Sequence, residues 1–199
     1  GQDPAGTKEK FLAFWQQISP RFKDAPPAVI YEILNEPCRG LTAELWDVYY
    51  RQALAMIRQT NPTRGVIIGP AQWNSVDAIE SLSLPDDDRH IIVTVHYYKP
   101  MEFTHQGAGW TPQYTDTAGV VWPRSEADKE AVLRDFEKVR DWAAEHNRPV
   151  FVGEFGAYDK GDMDSRARYT SFIARTAERF GFSWAYWQFD SNFIVYDID

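Results

Sequence analysis

Short apolar runs and amphipathic stretches alternate along the chain, and their periods predict its elements. Phe11, Phe14, Trp15 and Ile18 recur at helical spacing, predicting a helix over residues 7–19 that Pro20 closes. Residues 28–34 (AVIYEIL) read as a first strand. A second helix is predicted over 42–60, with Leu45, Tyr49, Ala53, Met56 and Ile57 inward and Asn61-Pro62 ending it. Residues 65–69 (GVIIG) make a second, buried strand, 75–81 a short helix, and 91–97 (IIVTVHY) a third strand. A polar, aromatic-rich loop follows over 98–124. Ser125 and Asp128 then resemble a capping box heading a helix whose inner face carries Val132, Phe136, Val139 and Ala143. Residues 149–154 (PVFVGE) are the fourth strand and 164–180 the last helix, burying Tyr169, Phe172, Ile173 and Ala177, with Gly181 at its C-cap. Residues 183–189 (SWAYWQF) are the fifth strand.

Strands that alternate with helices predict an α/β fold with a parallel sheet. In such folds the chemistry gathers at the C-terminal ends of the strands, and each predicted strand here is followed by polar or aromatic residues. No repeat, low-complexity tract or linker divides the sequence, so residues 1–199 read as one domain.

Composition narrows the class. Of 199 residues 44% are hydrophobic, enough for a substantial core. The net charge of -8 and a pI near 5.0 argue against a nucleic-acid surface, which rests on clustered Lys and Arg. No apolar run approaches the roughly 20 residues that span a bilayer. Cys38 is the single cysteine, which excludes an intramolecular disulfide and a thiolate zinc site. Aromatic residues make up 15%, with 8 Trp, a composition that serves either a core or the stacking of sugar rings.

The candidate chemistry lies at strand ends. Asn35-Glu36-Pro37 follows the first strand and Gly153-Glu154-Phe155-Gly156 closes the fourth, each presenting one carboxylate. Two such groups in one cleft suit glycoside hydrolysis, one protonated to assist the leaving oxygen and one ionised to attack the anomeric carbon. His96 and Tyr98 stand two apart and so share a strand face, where the phenol would orient a carboxylate. Trp187 shares parity with Ala185 and Phe189 and offers a flat wall for a sugar. Singly, each residue has an ordinary structural explanation, as a cap, a core side chain or a loop contact. The joint pattern carries the reading. Glu32 shares parity with Glu36 and is expected in a buried polar network rather than in catalysis.

The segments YEILNEP (31–37), GPAQWNS (69–75), HYY (96–98), GEFG (153–156) and WAYWQFD (184–190), in that order, resemble glycoside hydrolase family 5, which includes many endo-β-1,4-glucanases. The resemblance implies a (β/α)8 barrel and a retaining double displacement without metal or cofactor. It makes Glu36 the acid/base and Glu154 the nucleophile. Asn35 would bond the sugar 2-hydroxyl, Tyr98 would support the nucleophile with His96 beside it, and Trp187 would be the sugar platform. Trp73 and Trp122 would be further platforms or loop packing. The expected substrate is a β-1,4-glucan, with β-mannan or mixed-linkage glucan as alternatives on the same site, and a secreted enzyme follows from a polymeric substrate. The other alternative is an inactive or carbohydrate-binding fragment.

A barrel of this type takes about 250 residues. The five predicted strands look like the family's strands four to eight, so the expected fold is a partial TIM barrel, N-terminally incomplete. Strand edges near 29–34 and 184–189 would stand unpaired, and long apolar edges invite pairing with another chain. The expectation is a homo-oligomer or a missing N-terminal part that covers them.

Overall fold

The structure is a computed structural model and describes residues 2–195. Five strands, β1 (Tyr31–Glu32), β2 (Val66–Ile68), β3 (Ile91–Tyr97), β4 (Val150–Phe155) and β5 (Ser183–Trp184), form one sheet in sequence order. The pairings are parallel, with Tyr31 opposite Val66, Val66 opposite Ile91 and Phe151 opposite Ser183. The long helices are α1 (Pro4–Arg21), α2 (Ala43–Thr60), α3 (Glu126–Glu145) and α4 (Met163–Arg179). None is long and apolar enough to cross a membrane. The chain divides into two compact units, residues 1–94 with 142–149, and 95–141 with 150–199.

In the first unit α1 begins earlier than its apolar stripe suggests, because the Asp3 carboxylate caps it by accepting from the Gly6 N–H at 2.9 Å and Pro4 occupies the first position. Pro20 does not close the helix. It lies in the last turn, where a missing N–H forfeits a single bond, and the Phe22 N–H still reaches the Ile18 carbonyl at 3.1 Å. Trp15 turns inward, its indole N–H donating to the Ile33 carbonyl at 3.1 Å and its ring 5.5 Å from that of Tyr31. Phe14, expected on the same face, is exposed.

The buried face of α2 is Trp46, Tyr49, Tyr50, Ala53, Leu54 and Ile57. This face is rotated from the predicted stripe, leaving Leu45 exposed and Met56 half-buried. Trp46 accounts for the phase: its indole N–H donates to the Gly69 carbonyl at 2.8 Å, pinning the helix to the end of β2. Arg64 gathers the turn before β1, donating to the carbonyls of Phe22, Lys23, Ala25, Pro26 and Val29 with its guanidinium over the Tyr31 ring. That single cation ties together five carbonyls of an irregular stretch of backbone through charge-assisted hydrogen bonds.

Val132, Phe136 and Val139 in the second unit, and Ala143 in the first, are buried along α3 as the periodicity predicts. The Asp128 carboxylate accepts from the Arg124 N–H at 2.6 Å, and although burial pushes its carboxyl up, hydrogen bonds from the Arg124 side chain and from the Arg124 and Ser125 backbone hold it below the usual range. Helix α4 starts at an Asp162 cap and ends in a Schellman motif. Phe182 N–H bonds the Ala177 carbonyl at 2.9 Å, Gly181 N–H the Glu178 carbonyl at 3.0 Å, and Gly181 sits at φ 75°. The predicted loop over 98–124 contains a helical turn, Met101–Thr104, and a 3-10 turn, Pro112–Tyr114.

Two strands are much shorter than predicted. The Pro26 carbonyl accepts from the Val29 N–H at 2.9 Å, so 26–29 form a turn and Val29 and Ile30 stand exposed before β1 begins. Glu32 is exposed, not part of a buried network. Pairing of β5 stops at Trp184, with one further bond from Ala185 N–H to the Val152 carbonyl at 2.9 Å.

Asp88 receives both arms of Arg58, at 2.6 and 3.1 Å, and so ties the segment that leads into β3 to α2. Burial pushes the Asp88 carboxyl up, but the Arg58 hydrogen bonds and charge outweigh it and hold the group below the usual carboxylate range. A depressed folded value means the stabilisation is complete above the unfolded value near 3.9 and is lost as pH falls through the folded value. Asp88→Asn is therefore expected to lower unfolding free energy by about 1 kcal/mol at pH 7. Urea melts across pH should show the gap to wild type closing as pH falls below the ordinary carboxylate range.

Candidate active site

Strands β3 and β4 present one cluster. On β3 the pleat sends Tyr97 one way, its hydroxyl donating to Asp135 at 3.0 Å and its ring edge-on to Phe136 at 5.2 Å. Its neighbours go the other way. The Tyr98 hydroxyl donates to Glu154 Oε2 at 2.9 Å, and His96 Nδ1 lies 3.5 Å from the same oxygen. A phenol donating to a carboxylate fixes the oxygen it touches and stabilises the charged form. The His96 contact is an ion pair only when the imidazole is protonated. Glu154, in β4, is half-buried, and His96 is buried.

Asn35, Glu36 and Pro37 follow β1, Asn35 exposed and Glu36 half-buried. Glu36 has φ 48°, the left-handed region that non-glycine residues avoid. Gln72, Trp73 and Asn74, just past β2, share it at φ 61°, 61° and 54°. Each such residue costs on the order of 1–3 kcal/mol unless its surroundings hold it, and such outliers cluster at functional sites. Here the Trp73 N–H donates to the Pro37 carbonyl at 3.1 Å, coupling the two strained turns. Trp73 is 48% exposed and presents its indole to solvent.

The other two tryptophans differ from each other. Trp187 lies beyond β5, so it does not share a strand face with Ala185 and Phe189 as predicted. Its N–H donates to the Phe155 carbonyl at 2.9 Å, which seats it beside the end of β4, and it is 40% exposed. Trp122 is 1% exposed, edge-on to Tyr169 at 5.2 Å and against Phe172 at 5.5 Å, so it is core and not a platform.

Sequence reading missed the groups that hold Tyr98. His105 meets its ring edge-on at 5.2 Å and Phe193 at 5.7 Å, while Ala108 and Tyr158 complete the packing. These residues come from the loop over 98–124, from the chain after β4 and from near the C-terminus. Periodicity carries no signal for such side chains. The one cue is Thr104-His105 beside a turn that Pro100 begins.

The family model for Cellulase (glycosyl hydrolase family 5) matches residues 2–193. Endoglucanase H of Acetivibrio thermocellus is 36% identical over 204 residues, covering 100% of this chain and 21% of that protein. Thermotoga maritima Cel5A in complex with cellobiose superposes with a TM-score of 0.95 at 44% identity, covering 98% of this chain and 63% of that one. The same protein in complex with mannotriose gives 0.95 at 43% identity, with 98% and 63% covered. The chain thus spans less than two thirds of the length of these relatives. Its five parallel strands correspond to part of their barrel.

Gly156 completes the seat of Trp187. A Cβ there would fall inside van der Waals contact with the Trp187 carbonyl oxygen, and that oxygen belongs to backbone that cannot swing aside. Gly156→Ala is expected to destabilise the protein by about 1–3 kcal/mol. Thermal melts would check this, and a shift in tryptophan fluorescence would report the displaced indole.

Proposed function

The chain belongs to glycosyl hydrolase family 5, the cellulase family, and from that premise we propose that it hydrolyses β-1,4-glucan internally with retention of anomeric configuration. The observation that carries the reading is the Tyr98 phenol donating to the Glu154 carboxylate at the end of β4. That contact suits a nucleophile, which must be ionised and aimed. In the first step Glu154 attacks the anomeric carbon while Glu36 gives its proton to the departing glycosidic oxygen, leaving a glycosyl-enzyme ester. In the second step Glu36 takes a proton from water, water displaces Glu154, and both carboxyls return to their starting states. Asn35 bonds the sugar 2-hydroxyl, His96 lies in the same subsite, and Trp187 and Trp73 offer exposed indoles for stacking.

Cellobiose and mannotriose complexes of the similar Thermotoga protein support two substrate classes on one site, β-glucan first and β-mannan second. In this reading the loop over 98–124 selects between them, and a polymeric substrate places the enzyme outside the cell. A second reading, supported by the exposed indoles of Trp73 and Trp187, is that the chain binds sugar without turning it over. Val29, Ile30 and Leu34 are exposed at the β1 edge, which supports association with a second copy or with further polypeptide.

Proton NMR of the first products from a β-glucan is expected to show the β-anomer, and an α-configured initial product would defeat the mechanism. Glu154→Gln should cut kcat by at least about a thousandfold with the fold intact by circular dichroism. Calorimetry with cellotetraose that shows binding without turnover would favour the second reading. Light scattering on the pure chain should give a mass above the 23.0 kDa monomer, and a stable monodisperse monomer would exclude self-association.

A further inference from the structure

Thr104 is fully buried, yet its hydroxyl serves two partners. Oγ1 lies 2.5 Å from the Tyr98 carbonyl oxygen and 2.9 Å from His105 Nδ1. Its own carbonyl accepts from the Tyr158 N–H at 2.8 Å, in the segment that follows Glu154. One residue thus grips the main chain that bears the phenol and the main chain beyond the carboxylate which that phenol touches.

Proton counting settles the directions. A carbonyl oxygen only accepts, so the single hydroxyl hydrogen of Thr104 goes to Tyr98. Oγ1 must then accept from His105, which places a proton on Nδ1. The ring so fixed stands edge-on to both Tyr98, at 5.2 Å and 78°, and Phe193, at 5.4 Å and 68°. We propose that Thr104 is a positioning residue: through the Tyr98 carbonyl and the His105 Nδ1–H it holds the Tyr98 ring at the angle from which its hydroxyl aims Glu154. The proposal rests on the hydrolytic reading for its kinetic consequence and on geometry alone for the tautomer.

The test compares Thr104→Val, which keeps the shape and removes the hydroxyl, with Thr104→Ser, which keeps the hydroxyl. Nitrogen-15 imidazole spectra of the whole chain are expected to show the Nδ1–H tautomer of His105 in wild type and Thr104→Ser, and its loss in Thr104→Val. On soluble β-1,4-glucan, Thr104→Val should lose about tenfold in kcat with KM within about twofold, because aim fails while sugar binding stays. Thr104→Ser should restore most of the rate. An Nε2–H tautomer in wild type, an unchanged kcat in Thr104→Val, or a Thr104→Ser variant as slow as Thr104→Val would each overturn the proposal. If wild type hydrolyses nothing, the functional reading fails, and the tautomer comparison alone decides for or against the grip of Thr104.

Discussion

A β-strand turns successive side chains to opposite faces, and on β3 that alternation determines both the packing and the site. Tyr97 goes to Asp135 and Phe136 on α3, while His96 and Tyr98 go to Glu154. A slip of one residue in the register of β3 against its neighbours would exchange those destinations. The Tyr98 phenol would then enter the helix layer, and Tyr97 would leave its places against Asp135 and Phe136. The apolar core around Phe136 and the polar contact at Glu154 therefore enforce each other, and a substitution that loosens one is felt by the other.

The parallel arrangement makes such a site possible. Strands that run the same way deliver their C-terminal ends to one side of the sheet, so residues far apart in sequence become neighbours in function. The chain uses those ends unevenly. Past β1 and β2 the backbone is forced into left-handed conformations at Glu36, Gln72, Trp73 and Asn74. Past β3 and β4 the constraint comes from side chains, with Tyr98 wedged between His105 and Phe193. Backbone strain in one place and ring packing in the other serve the same end, which is to leave a carboxylate few orientations.

Much of this was legible in the sequence where burial and period coincide. Strand β3 matches its apolar run, and the buried face of α3 matches Val132, Phe136, Val139 and Ala143, because both elements are packed along their whole length. The readings that failed have specific causes. Pro20 continues a helix because it lies in the last turn, and the face of α2 follows Trp46's bond to Gly69 rather than the mean of the stripe. Strands β1 and β5 shrink because a turn at 26–29 and the departure of the chain after Trp184 end their pairing, which apolar content alone does not encode. Of the tryptophans singled out, Trp73 and Trp187 present indoles to solvent and Trp122 does not, a difference set by the loops over which composition is silent.

The proposed mechanism makes Glu154 the residue that forms the covalent bond to the sugar. Incubation with a 2-deoxy-2-fluoro cellobioside carrying a good leaving group, followed by digestion and mass spectrometry, tests it most directly, because the fluorine slows breakdown of a glycosyl-enzyme. One fluorosugar per chain on the peptide containing Glu154, at that residue, is the predicted result. A label on Glu36 or on any other carboxylate, or hydrolysis of the parent substrate with no trapped adduct, would contradict it.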